Sequence, residues 1–432
     1  MNINAYEVLK RRGFIYQATD EAALTKTLGD APTVFYVGFD PTADSLHVGH
    51  LLPIMAMRQL QKAGHIPIVL VGGATALVGD PSGKQEARPI LDKEKVAANA
   101  AALKQQLSRF ISVEDGRAIF VNNADWFRDL LYIDFLREIG SRFSVNKMLS
   151  AESVKLRLET GLSFLEFNYM ILQAYDFQVL NKAHKCRIQF GGQDQWGNIV
   201  AGVDLVRRMN QEEVFGATFP LLMNSQGQKF GKTAAGAVWL DPQRSSTFDY
   251  YQFWRNCDDG DVARLLCFFT GLPVDEIERL AALPAPAINR AKEILAYEAT
   301  SLAHGSEEAT KNYLAAGAKF GFADAEGRIA TTSAISKVRV SSANAGFADL
   351  PSFSVPDSEL EGTGVWIVKL LTDSGLCKSN GDARRLIQGG GAYLNDEKIS
   401  DPNATLHRDN IKDGAAILKA GKKSVRRITI VP

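Results

Sequence analysis

Hydrophobic residues in the first half of the chain follow two alternating patterns. Short runs rich in β-branched and aromatic residues, bounded by turn residues, predict strands, and longer stretches with apolar residues every three or four positions predict helices. The predicted strands are 32–39, 66–71, 118–121, 186–190 and 217–223, and the predicted helices are 51–63, 93–110, 130–143, 163–181 and 199–209. This alternation indicates a doubly wound α/β domain with a parallel sheet, in which ligands bind beyond the carboxyl ends of the strands.

The rest of the chain changes pattern twice. We predict that the α/β domain occupies 1–235 and that 236–325 forms an all-helical domain, because its periodicity is helical and no convincing strand interrupts it. Residues 326–362 are rich in Ala, Ser, Gly and Pro and predict a linker. Residues 363–432 then form a compact C-terminal unit.

Composition and charge agree with a division into domains. A length of 432 residues suggests two or three domains, and 46% hydrophobic with 23% charged residues excludes disorder of the whole chain. The 49 Lys and Arg residues balance 49 Asp and Glu residues, so the chain as a whole has no field that attracts nucleic acid. Residues 364–432, however, carry 12 basic and 7 acidic residues, which makes the C-terminal unit a candidate for contact with an anionic partner.

The cysteines and the N-terminal sequence bear on the cellular compartment. Cys186, Cys257, Cys267 and Cys377 are far apart and form no C-x-x-C pair, so we expect neither a disulfide framework nor a zinc site. The N-terminus lacks the apolar run of a signal peptide, and the longest apolar stretch is broken by glycine and too short to span a bilayer. We therefore expect a cytoplasmic protein without membrane contact.

A histidine motif follows the first predicted strand. The sequence HVGH, residues 47–50, lies beside a helix start, where free backbone N–H groups favour an anion and two imidazoles can donate hydrogen bonds to phosphate oxygens. Gly49 would let a nucleotide approach the backbone closely. By itself the motif is equally consistent with an ordinary N-cap at Asp44 or Ser45 and two surface histidines.

Two glycine-containing loops carry cations. The loop after the second strand ends in Lys84, with Arg88 just beyond, and its backbone could cradle a phosphate chain, although the spacing is not that of a Walker A loop. Later, the sequence KFGKT places Lys229 and Lys232 three residues apart on a loop that could close over a polyphosphate. Taken alone, each loop fits a solvated turn better than a binding site.

A polar stripe marks the helix predicted at 163–181. This helix is apolar nearly all round except for Tyr169, Gln173 and Asp176, whose spacing places them on one face. A polar stripe on a buried helix suggests a lined pocket, whereas on an arbitrary helix it more often faces water. The next strand runs into GGQDQWGN, which places further polar groups at a strand's carboxyl end, so two segments indicate one cleft.

The order and separation of these motifs resemble a known family. HVGH after the first strand and KFGKT after the last are similar to the two signatures of class I aminoacyl-tRNA synthetases. Over essentially the whole chain, the segments YVGFDPTADSLHVGH, LVGGATALVGDPSGK, YMILQAYDF, GGQDQWGN, KFGKT and GAVWLDP resemble bacterial tyrosyl-tRNA synthetases. The resemblance implies a Rossmann-like catalytic domain with a dimer-interface insertion at about 125–165, then the helical domain and a small α+β RNA-binding domain of the S-four type.

The resemblance also implies the reaction and its participants. The carboxylate of L-tyrosine would attack the α-phosphate of ATP, which enters with Mg²⁺, and the tyrosyl group would then move to the terminal ribose of tRNA(Tyr). Because that carboxylate is already ionised, catalysis would consist of positioning and of stabilising charge on the departing pyrophosphate. The residues implied to contact the triphosphate are Thr42, His47, His50, Lys84, Arg88, Lys229, Lys232 and Thr233, and the further implied ATP contacts are Gly38, Asp40, Gly49, Gly192 and Asp194. We expect no metal site made by the protein itself.

The resemblance places the amino acid in a polar pocket. Its members would be Tyr36, Asp80, Tyr169, Gln173, Asp176 and Gln195. Tyr36 and Asp176 would hydrogen-bond the phenol of the substrate, while Asp80, Tyr169 and Gln173 would hold its ammonium group. Phenylalanine would leave both phenol partners unpaired in a dry pocket, which is costly.

The C-terminal unit is implied to bind RNA. Its candidate phosphate contacts are Arg384, Arg385, Lys422, Lys423, Arg426 and Arg427. Such contacts give salt-dependent affinity more than sequence readout, and a solvated basic tail is the alternative. Two positions depart from the family pattern: Asn395-Asp396 replaces an Asn-Gly turn, which predicts another turn type or a strained one, and Gln193 replaces the commoner serine of GGSDQWG.

Three other functions stay open at this point. A tryptophanyl-tRNA synthetase is disfavoured by Asp176 opposing Tyr36, and a small nucleotidylyltransferase would not need the helical domain or the basic tail. A synthetase-derived RNA-binding or splicing factor is disfavoured by the intact HVGH and KFGKT signatures. The resemblance further implies a homodimer, with 141–148 and Phe164 near the shared surface.

Overall fold

The structure, a computed structural model, describes residues 4–83, 91–233, 236–340, 350–412, 414–421 and 424–431, without the side chains of Ser153, Leu156, Lys232 and Thr233. The chain divides into two units, Met1–Gly231 with Cys267–Phe269, and Lys232–Leu266 with Thr270–Pro432. In the described part of the chain, no helix is both long enough and apolar enough to cross a membrane.

A six-stranded, mainly parallel sheet organises the first unit. Its strands are β1 (Gln17–Ala18), β2 (Val34–Phe39), β3 (Ile66–Val71), β4 (Ile119–Asn122), β5 (Ile188–Gly192) and β6 (Phe215–Phe219). They lie in the order β1-β6-β5-β2-β3-β4, with β2 to β6 parallel and β1 antiparallel to β6. The direction of strand succession reverses between β2 and β5, and doubly wound sheets bind ligands beyond the carboxyl ends of strands at such a point.

Helices connect and cover these strands. They are α1 (Ala5–Arg11), α2 (Glu21–Asp30), α3 (Val48–Lys62), α4 (Lys93–Leu107), α5 (Ala124–Phe127), α6 (Tyr132–Glu138), α7 (Val145–Leu149), α8 (Glu152–Leu158), α9 (Phe164–Phe167), α10 (Tyr169–His184) and α11 (Trp196–Asn210). Successive residues of β2, Phe35, Tyr36 and Val37, are all buried, so both faces of the sheet are covered. Burial on both faces is why the strands are nearly continuous apolar runs, and the predicted fold class is confirmed.

Three predicted boundaries shift for local reasons. The helix predicted at 163–181 is two helices, α9 and α10, that meet at Asn168. The strand predicted at 217–223 ends at Phe219, because Pro220 has no N–H to continue the ladder. The helix predicted at 130–143 is shorter and is followed by a 3₁₀ turn at Gly140–Arg142.

The second unit begins with a helical segment. A short hairpin, β7 (Lys232–Thr233) and β8 (Gly236–Ala237), precedes α12 (Thr247–Arg255), α13 (Val262–Phe269), α14 (Val274–Ala281), α15 (Ile288–His304) and α16 (Ser306–Phe320). The last three residues of α13, Cys267–Phe269, belong to the first unit. Tyr250, Tyr251 and Trp254 of α12 are fully buried among these helices. The helical periodicity read from the sequence is therefore confirmed for this segment.

The C-terminal segment combines two sheets with two helices. Its elements are β9 (Ser352–Pro356), β10 (Val365–Trp366), α17 (Ile367–Asp373), α18 (Asn380–Gln388), β11 (Ala392–Leu394), β12 (Glu397–Lys398), β13 (Thr405–Leu406), β14 (Ala415–Ala420) and β15 (Ser424–Val431). The main sheet has the order β12-β11-β14-β15-β9, and β10 pairs with β13. The α+β prediction is confirmed.

The linker predicted at 326–362 is wrong over its last part. Strand β9 pairs in parallel with β15, and Val355 and Leu360 are buried in the core of the C-terminal segment. The strand escaped prediction because it has five residues and ends in a proline, so its composition matches a loop. The four-part division of the chain otherwise stays a prediction.

The turn between β11 and β12 keeps the geometry that its sequence disfavours. Asn395 and Asp396 both have positive φ, 50° and 69°, as a two-residue type I′ turn requires. Asp396 adopts the left-handed backbone conformation, which costs a residue other than glycine free energy. Of the two predictions for this turn, the strained one therefore holds. Asn395 compensates through hydrogen bonds with the backbone of Asn410 and Ile417.

Candidate active site

A cavity of about 400 Å³ opens at the carboxyl ends of β2 and β5 in the first unit. The sequence-predicted residues that line it are Tyr36, Gly38, Asp40, Thr42, His47, Gly49, His50, Asp80, Tyr169, Gln173, Asp176, Gly192, Asp194 and Gln195. The whole predicted tyrosine pocket and the histidine motif therefore share one cavity, at the reversal point of the sheet.

Of the remaining predicted phosphate contacts, only Lys229 has a side chain within the part of the chain that the structure describes. Lys84 and Arg88 lie outside the described residues, as do the side chains of Lys232 and Thr233. Lys229 is exposed and does not line the cavity. Burial raises the pKa of Asp194, and the charge of Lys229 opposes this rise, so Lys229 lies within electrostatic reach of the cavity wall.

A buried acid and a buried phenol occupy one end of the cavity. Asp176 is 2% exposed and accepts hydrogen bonds from Asn123 Nδ2 (3.2 Å) and Trp126 Nε1 (2.9 Å). Burial raises the pKa of Asp176 to about 8, against the effect of these two donors. The hydroxyl of Tyr36 is buried with no hydrogen-bond partner among the described residues. A buried hydroxyl without a partner is unusual, and it indicates a place for a polar group of a ligand.

Asn123, Trp126 and Thr75 are functional neighbours that the sequence did not reveal. Asn123 is fully buried and donates to Thr75 Oγ1 (2.9 Å) as well as to Asp176. Asn123 and Trp126 lie 53 and 50 positions from Asp176 in the sequence, and Thr75 lies 35 positions from Asp40, so no local pattern links them. The available signal was the polar run NNADW at the carboxyl end of a strand, next to the predicted cleft.

Carboxylates surround the middle of the cavity. Asp40 accepts hydrogen bonds from the Tyr169 hydroxyl (2.8 Å) and from Thr75 Oγ1 (2.8 Å). Asp80 accepts from Gln195 Nε2 (2.7 Å) and from the backbone N–H of Ser82 (2.9 Å). These contacts fix the carboxylates in place, and their negative charges suit a cationic group of a ligand.

Asn198 orients the side-chain amides of Gln173 and Gln195. Asn198 Nδ2 donates to Gln173 Oε1 (3.0 Å) and to Gln195 Oε1 (3.2 Å). Asn198 thereby fixes the carbonyl oxygens of both glutamine side chains. The NH₂ group of Gln195 donates to Asp80. Gln193, the departure from the family pattern, opens the 3₁₀ turn Gln193–Gln195 that carries Gln195.

The two histidines form a reciprocal cap at the start of α3. His47 Nδ1 accepts from the N–H of Gly49 (3.0 Å), and His50 Nδ1 accepts from the N–H of His47 (3.1 Å). The cap is therefore His47, and the alternative of an N-cap at Asp44 or Ser45 is wrong. A Cβ on Gly49 would lie 2.8 Å from Cε1 of His47, so this arrangement requires glycine.

This cap determines which protons the imidazoles present. Because both Nδ1 atoms accept, each ring carries its proton on Nε2 and can donate there. Burial lowers the pKa of His50 to about 3, so the ring is neutral near pH 7. The motif thus offers two Nε2 donors, of which that of His50 is neutral, beside a helix N-terminus, which is suited to oxygen atoms of a phosphate.

The candidate RNA contacts of the second unit differ in their surroundings. Arg384 lies over the ring of Trp366, 5.1 Å from its centre, and Arg385 is an exposed residue paired with Asp382. Arg426 is largely buried in an ion pair with Asp249. Arg427 is partly exposed on β15, and Lys422 and Lys423 lie outside the described residues.

An apolar surface lies within the predicted dimer-interface insertion. Its exposed residues are Leu131, Tyr132, Ile133, Val145, Leu158, Phe164 and Leu165, with Leu131 and Phe164 each 70% exposed. Large exposed apolar residues concentrated in one stretch of chain are typical of surfaces that another molecule covers. Among the described residues, no cluster of His, Cys, Asp and Glu could hold a metal ion.

Comparisons with known proteins agree along the chain. The family model described as tRNA synthetases class I (W and Y) matches residues 29–320, and the model described as tyrosine–tRNA ligase SYY-like C-terminal domain matches 343–427. The second match begins inside the predicted linker and includes β9. It therefore agrees with the finding that the last part of this linker belongs to the C-terminal segment.

Curated relatives match over their full length. A tyrosine–tRNA ligase of Clostridium tetani is 47% identical over 430 residues, covering 100% of both chains, and one of Clostridium botulinum is 48% identical over 427 residues, covering 99% of both. Among solved structures, a C-terminally truncated mitochondrial tyrosyl-tRNA synthetase of Aspergillus nidulans is 32% identical with a TM-score of 0.65, covering 72% of this chain and 92% of that one.

Proposed function

The chain belongs to the class I tRNA synthetases of the tryptophan and tyrosine type, and we propose that the cavity at β2 and β5 carries out the first step of its reaction. The chain has the activity of a tyrosine–tRNA ligase. It activates L-tyrosine with ATP to tyrosyl-adenylate and pyrophosphate, and then transfers the tyrosyl group to the 3′-terminal adenosine of tRNA(Tyr). The observation that carries the site proposal is the single cavity that contains both the Tyr36–Asp176 end and the histidine motif.

The substrate phenol binds between Tyr36 and Asp176. The buried Tyr36 hydroxyl has no partner among the described residues and would gain one from the phenol. The phenol in turn donates to Asp176, whose oxygens are already oriented by Asn123 and Trp126. Phenylalanine would leave these groups unpaired at a cost of roughly 1–3 kcal/mol for each.

The ammonium and carboxylate groups of tyrosine lie toward the middle of the cavity. Asp80, Tyr169 and Gln173 hold the ammonium group, with Gln195 orienting Asp80 through its 2.7 Å hydrogen bond. The carboxylate of Asp40, fixed by Tyr169 and Thr75, adds negative charge there. This leaves the substrate carboxylate directed toward the nucleotide.

ATP binds along the histidine motif. His47 and His50 donate from Nε2 to phosphate oxygens, and Gly38, Asp40, Thr42, Gly49, Gly192 and Asp194 complete the nucleotide contacts. As bond formation moves charge onto pyrophosphate, the two imidazole donors fixed by the cap stabilise it, together with Thr233 and the cations Lys84, Arg88, Lys229 and Lys232. Mg²⁺ enters as the ATP complex, and the described residues offer it no cluster of their own.

The outer parts of the protein serve tRNA and assembly. We place tRNA contacts at Arg384, Arg385, Lys422, Lys423 and Arg427, which supply charge for backbone phosphates. The apolar surface of the 125–165 insertion is covered by a second copy of the chain, which makes a homodimer.

Amino-acid-dependent exchange of pyrophosphate into ATP tests the proposed function. We expect exchange with L-tyrosine and little with phenylalanine or tryptophan. Exchange that depends on tryptophan, or that needs no amino acid, would contradict it. Lys232→Ala should lower the exchange rate while leaving tyrosine binding nearly unchanged, because charge on the departing pyrophosphate develops in the transition state.

A further inference from the structure

Arg426 joins the C-terminal sheet to the helical segment within the second unit. Its guanidinium contacts Asp249 of α12 in a bidentate pair, Nη2 to Oδ2 at 2.7 Å and Nη1 to Oδ1 at 3.0 Å. Its Nε donates to the carbonyl of Ser374 (3.0 Å), and Nη1 also donates to that of Val425 (3.0 Å). The Arg426 side chain is 14% exposed and that of Asp249 is 39% exposed, so this planar, charge-assisted pair is partly shielded from solvent on the arginine side.

A second ionic contact joins the same two segments. Asp396, in the turn between β11 and β12, lies 3.1 Å from the Nζ of Lys319 on α16 and also pairs with Lys419 of β14. The Lys319 side chain is only 3% exposed, and the two lysines lower the pKa of Asp396. Asp396 is the residue that holds a left-handed φ of 69° where glycine would be unstrained. A carboxylate at this position is therefore maintained at a conformational cost.

These contacts favour another role for Arg426 than the phosphate contact predicted from the sequence. A guanidinium has five N–H donors, and the four hydrogen bonds to Asp249 and the two carbonyls use all but one of them. Arg385 differs, because its side chain is 72% exposed and its partner Asp382 lies on the same helix. Phosphate contact therefore suits Arg385, whereas Arg426 serves the connection between segments.

We propose that Asp249–Arg426 and Lys319–Asp396 are a clamp that positions the C-terminal segment for tRNA. Asp249, Arg426, Lys319 and Asp396 are positioning residues, and they act through Arg384, Arg385 and Arg427, which they hold in a fixed place relative to the helical segment. The proposal rests on the proposed function of the C-terminal segment in binding tRNA. A preformed arrangement avoids the ordering cost that two loosely joined segments would incur when a single tRNA engages both.

Asp249 could instead shield the charge of Arg426 from tRNA, and its neutralisation would then have the opposite effect on tRNA binding. If Asp249 only shielded a cation that tRNA needs, its neutralisation would free Arg426 and tighten tRNA binding. If Asp249 holds the clamp, its neutralisation loosens the segment and weakens tRNA binding. The sign of the change in KM for tRNA therefore distinguishes a clamp from a shield.

The test measures aminoacylation and tyrosine-dependent pyrophosphate exchange with the full chain. Asp249→Asn should raise the KM for tRNA about tenfold, a change equal to about 1.4 kcal/mol, while kcat and pyrophosphate exchange stay near wild type. Arg426→Asp should do the same, and the exchange of partners in Asp249→Arg with Arg426→Asp should restore most of the affinity. Asp396→Gly relieves the turn but breaks the second contact, and it should also raise this KM.

Ser246→Ala is the matched control. Ser246 caps α12 and hydrogen-bonds Asp249 at 2.7 Å, so its loss weakens the helix start but leaves the clamp charges in place. It should lower the melting temperature without raising the KM for tRNA. If Asp249→Asn leaves that KM unchanged or lowers it, or if exchanging the partners restores nothing, the clamp is overturned.

The same experiment separates the clamp from the function on which it rests. Arg385→Ala should weaken tRNA binding whatever stands at residue 249. If Arg384→Ala and Arg385→Ala charge tRNA normally, the proposed tRNA role of the C-terminal segment fails. If they charge it poorly while Asp249→Asn behaves as wild type, that role stands and the clamp alone fails.

Discussion

Single buried groups define the chemistry of the cavity, and distant residues determine their state. Asp176 is an acid whose pKa of about 8 reflects burial, and its two donors come from the segment after β4. His50 is a base whose pKa of about 3 reflects burial and the nearby His47. The identity of these residues is readable in the sequence, but their protonation state follows from contacts that only the folded chain makes.

Removal of one donor to Asp176 should weaken tyrosine binding. Trp126→Phe leaves a buried carboxylate oxygen without its indole partner and raises the pKa of Asp176 further, because that donor favours the ionised form. We expect the KM for tyrosine to rise about tenfold at pH 7, with a smaller effect near pH 9, where Asp176 ionises again.

Steady-state pyrophosphate exchange across pH measures this effect. Trp366→Phe, which removes an indole donor to Pro402 in the second unit, is the control and should leave the KM for tyrosine unchanged. A Trp126→Phe enzyme with wild-type KM at every pH would argue against a role of Asp176 in binding the phenol.

Burial of His50 should make stability depend on pH in acid. Its folded pKa of about 3 lies below the unfolded value near 6.5, so its stabilising contribution is complete above pH 6.5 and is lost as pH falls toward 3. In His50→Gln this slope should disappear, a difference on the order of a few kcal/mol between pH 6.5 and 4. Urea unfolding at a series of pH values gives the comparison, and identical slopes for the two proteins would refute it.

At the scale of helices and strands, local sequence rules account for most of the architecture and fail at specific places. Strand β3 has the predicted bounds because its apolar run is flanked by turn residues on both sides. The break at Asn168 and the short strand β9 were missed, because neither interrupts the composition of its neighbourhood. The polar stripe Tyr169, Gln173 and Asp176 was found, since a helix face is a local property, whereas Asn123 and Trp126 depend on pairing of remote strands.

The start of α9 provides a stability test at this scale. Ser163 and Glu166 form a capping box, and the buried Arg157 pairs with Glu166 at 3.0 Å. Ser163→Ala should cost about 1 kcal/mol of unfolding free energy, because the N–H of Glu166 loses its acceptor. Ser141→Ala, which removes an exposed hydroxyl bonded to the carbonyl of Arg137, should change stability by no more than about 0.5 kcal/mol. Equal losses in the two variants, by urea titration, would mean that the box contributes nothing.

At the scale of the whole molecule, the exposed apolar residues of the 125–165 insertion are the feature that one chain alone leaves unexplained. Phe164, 70% exposed at the start of α9, is large enough to anchor an interface. A sequence can indicate such a surface only through family resemblance, because exposure of an apolar residue depends on how the chain folds around it.

Sedimentation velocity should find a dimer at micromolar concentration. Phe164→Asp should convert it to a folded monomer, since the side chain is exposed within the chain itself, and the melting temperature should fall only by the stabilisation that dimerisation supplied. Val113→Asp, at another exposed apolar position (49% exposed), should leave the dimer intact. A wild-type monomer, or a Phe164→Asp dimer, would remove the proposed interface.

The most direct test of the central claim is a crystal structure with a non-hydrolysable tyrosyl-adenylate analogue. We predict that its phenol lies within hydrogen-bond distance of both Tyr36 Oη and Asp176, and that the group replacing the phosphate lies near Nε2 of His47 and His50. An analogue bound with its phenol elsewhere, or with its phosphate mimic remote from both imidazoles, would contradict the proposed site.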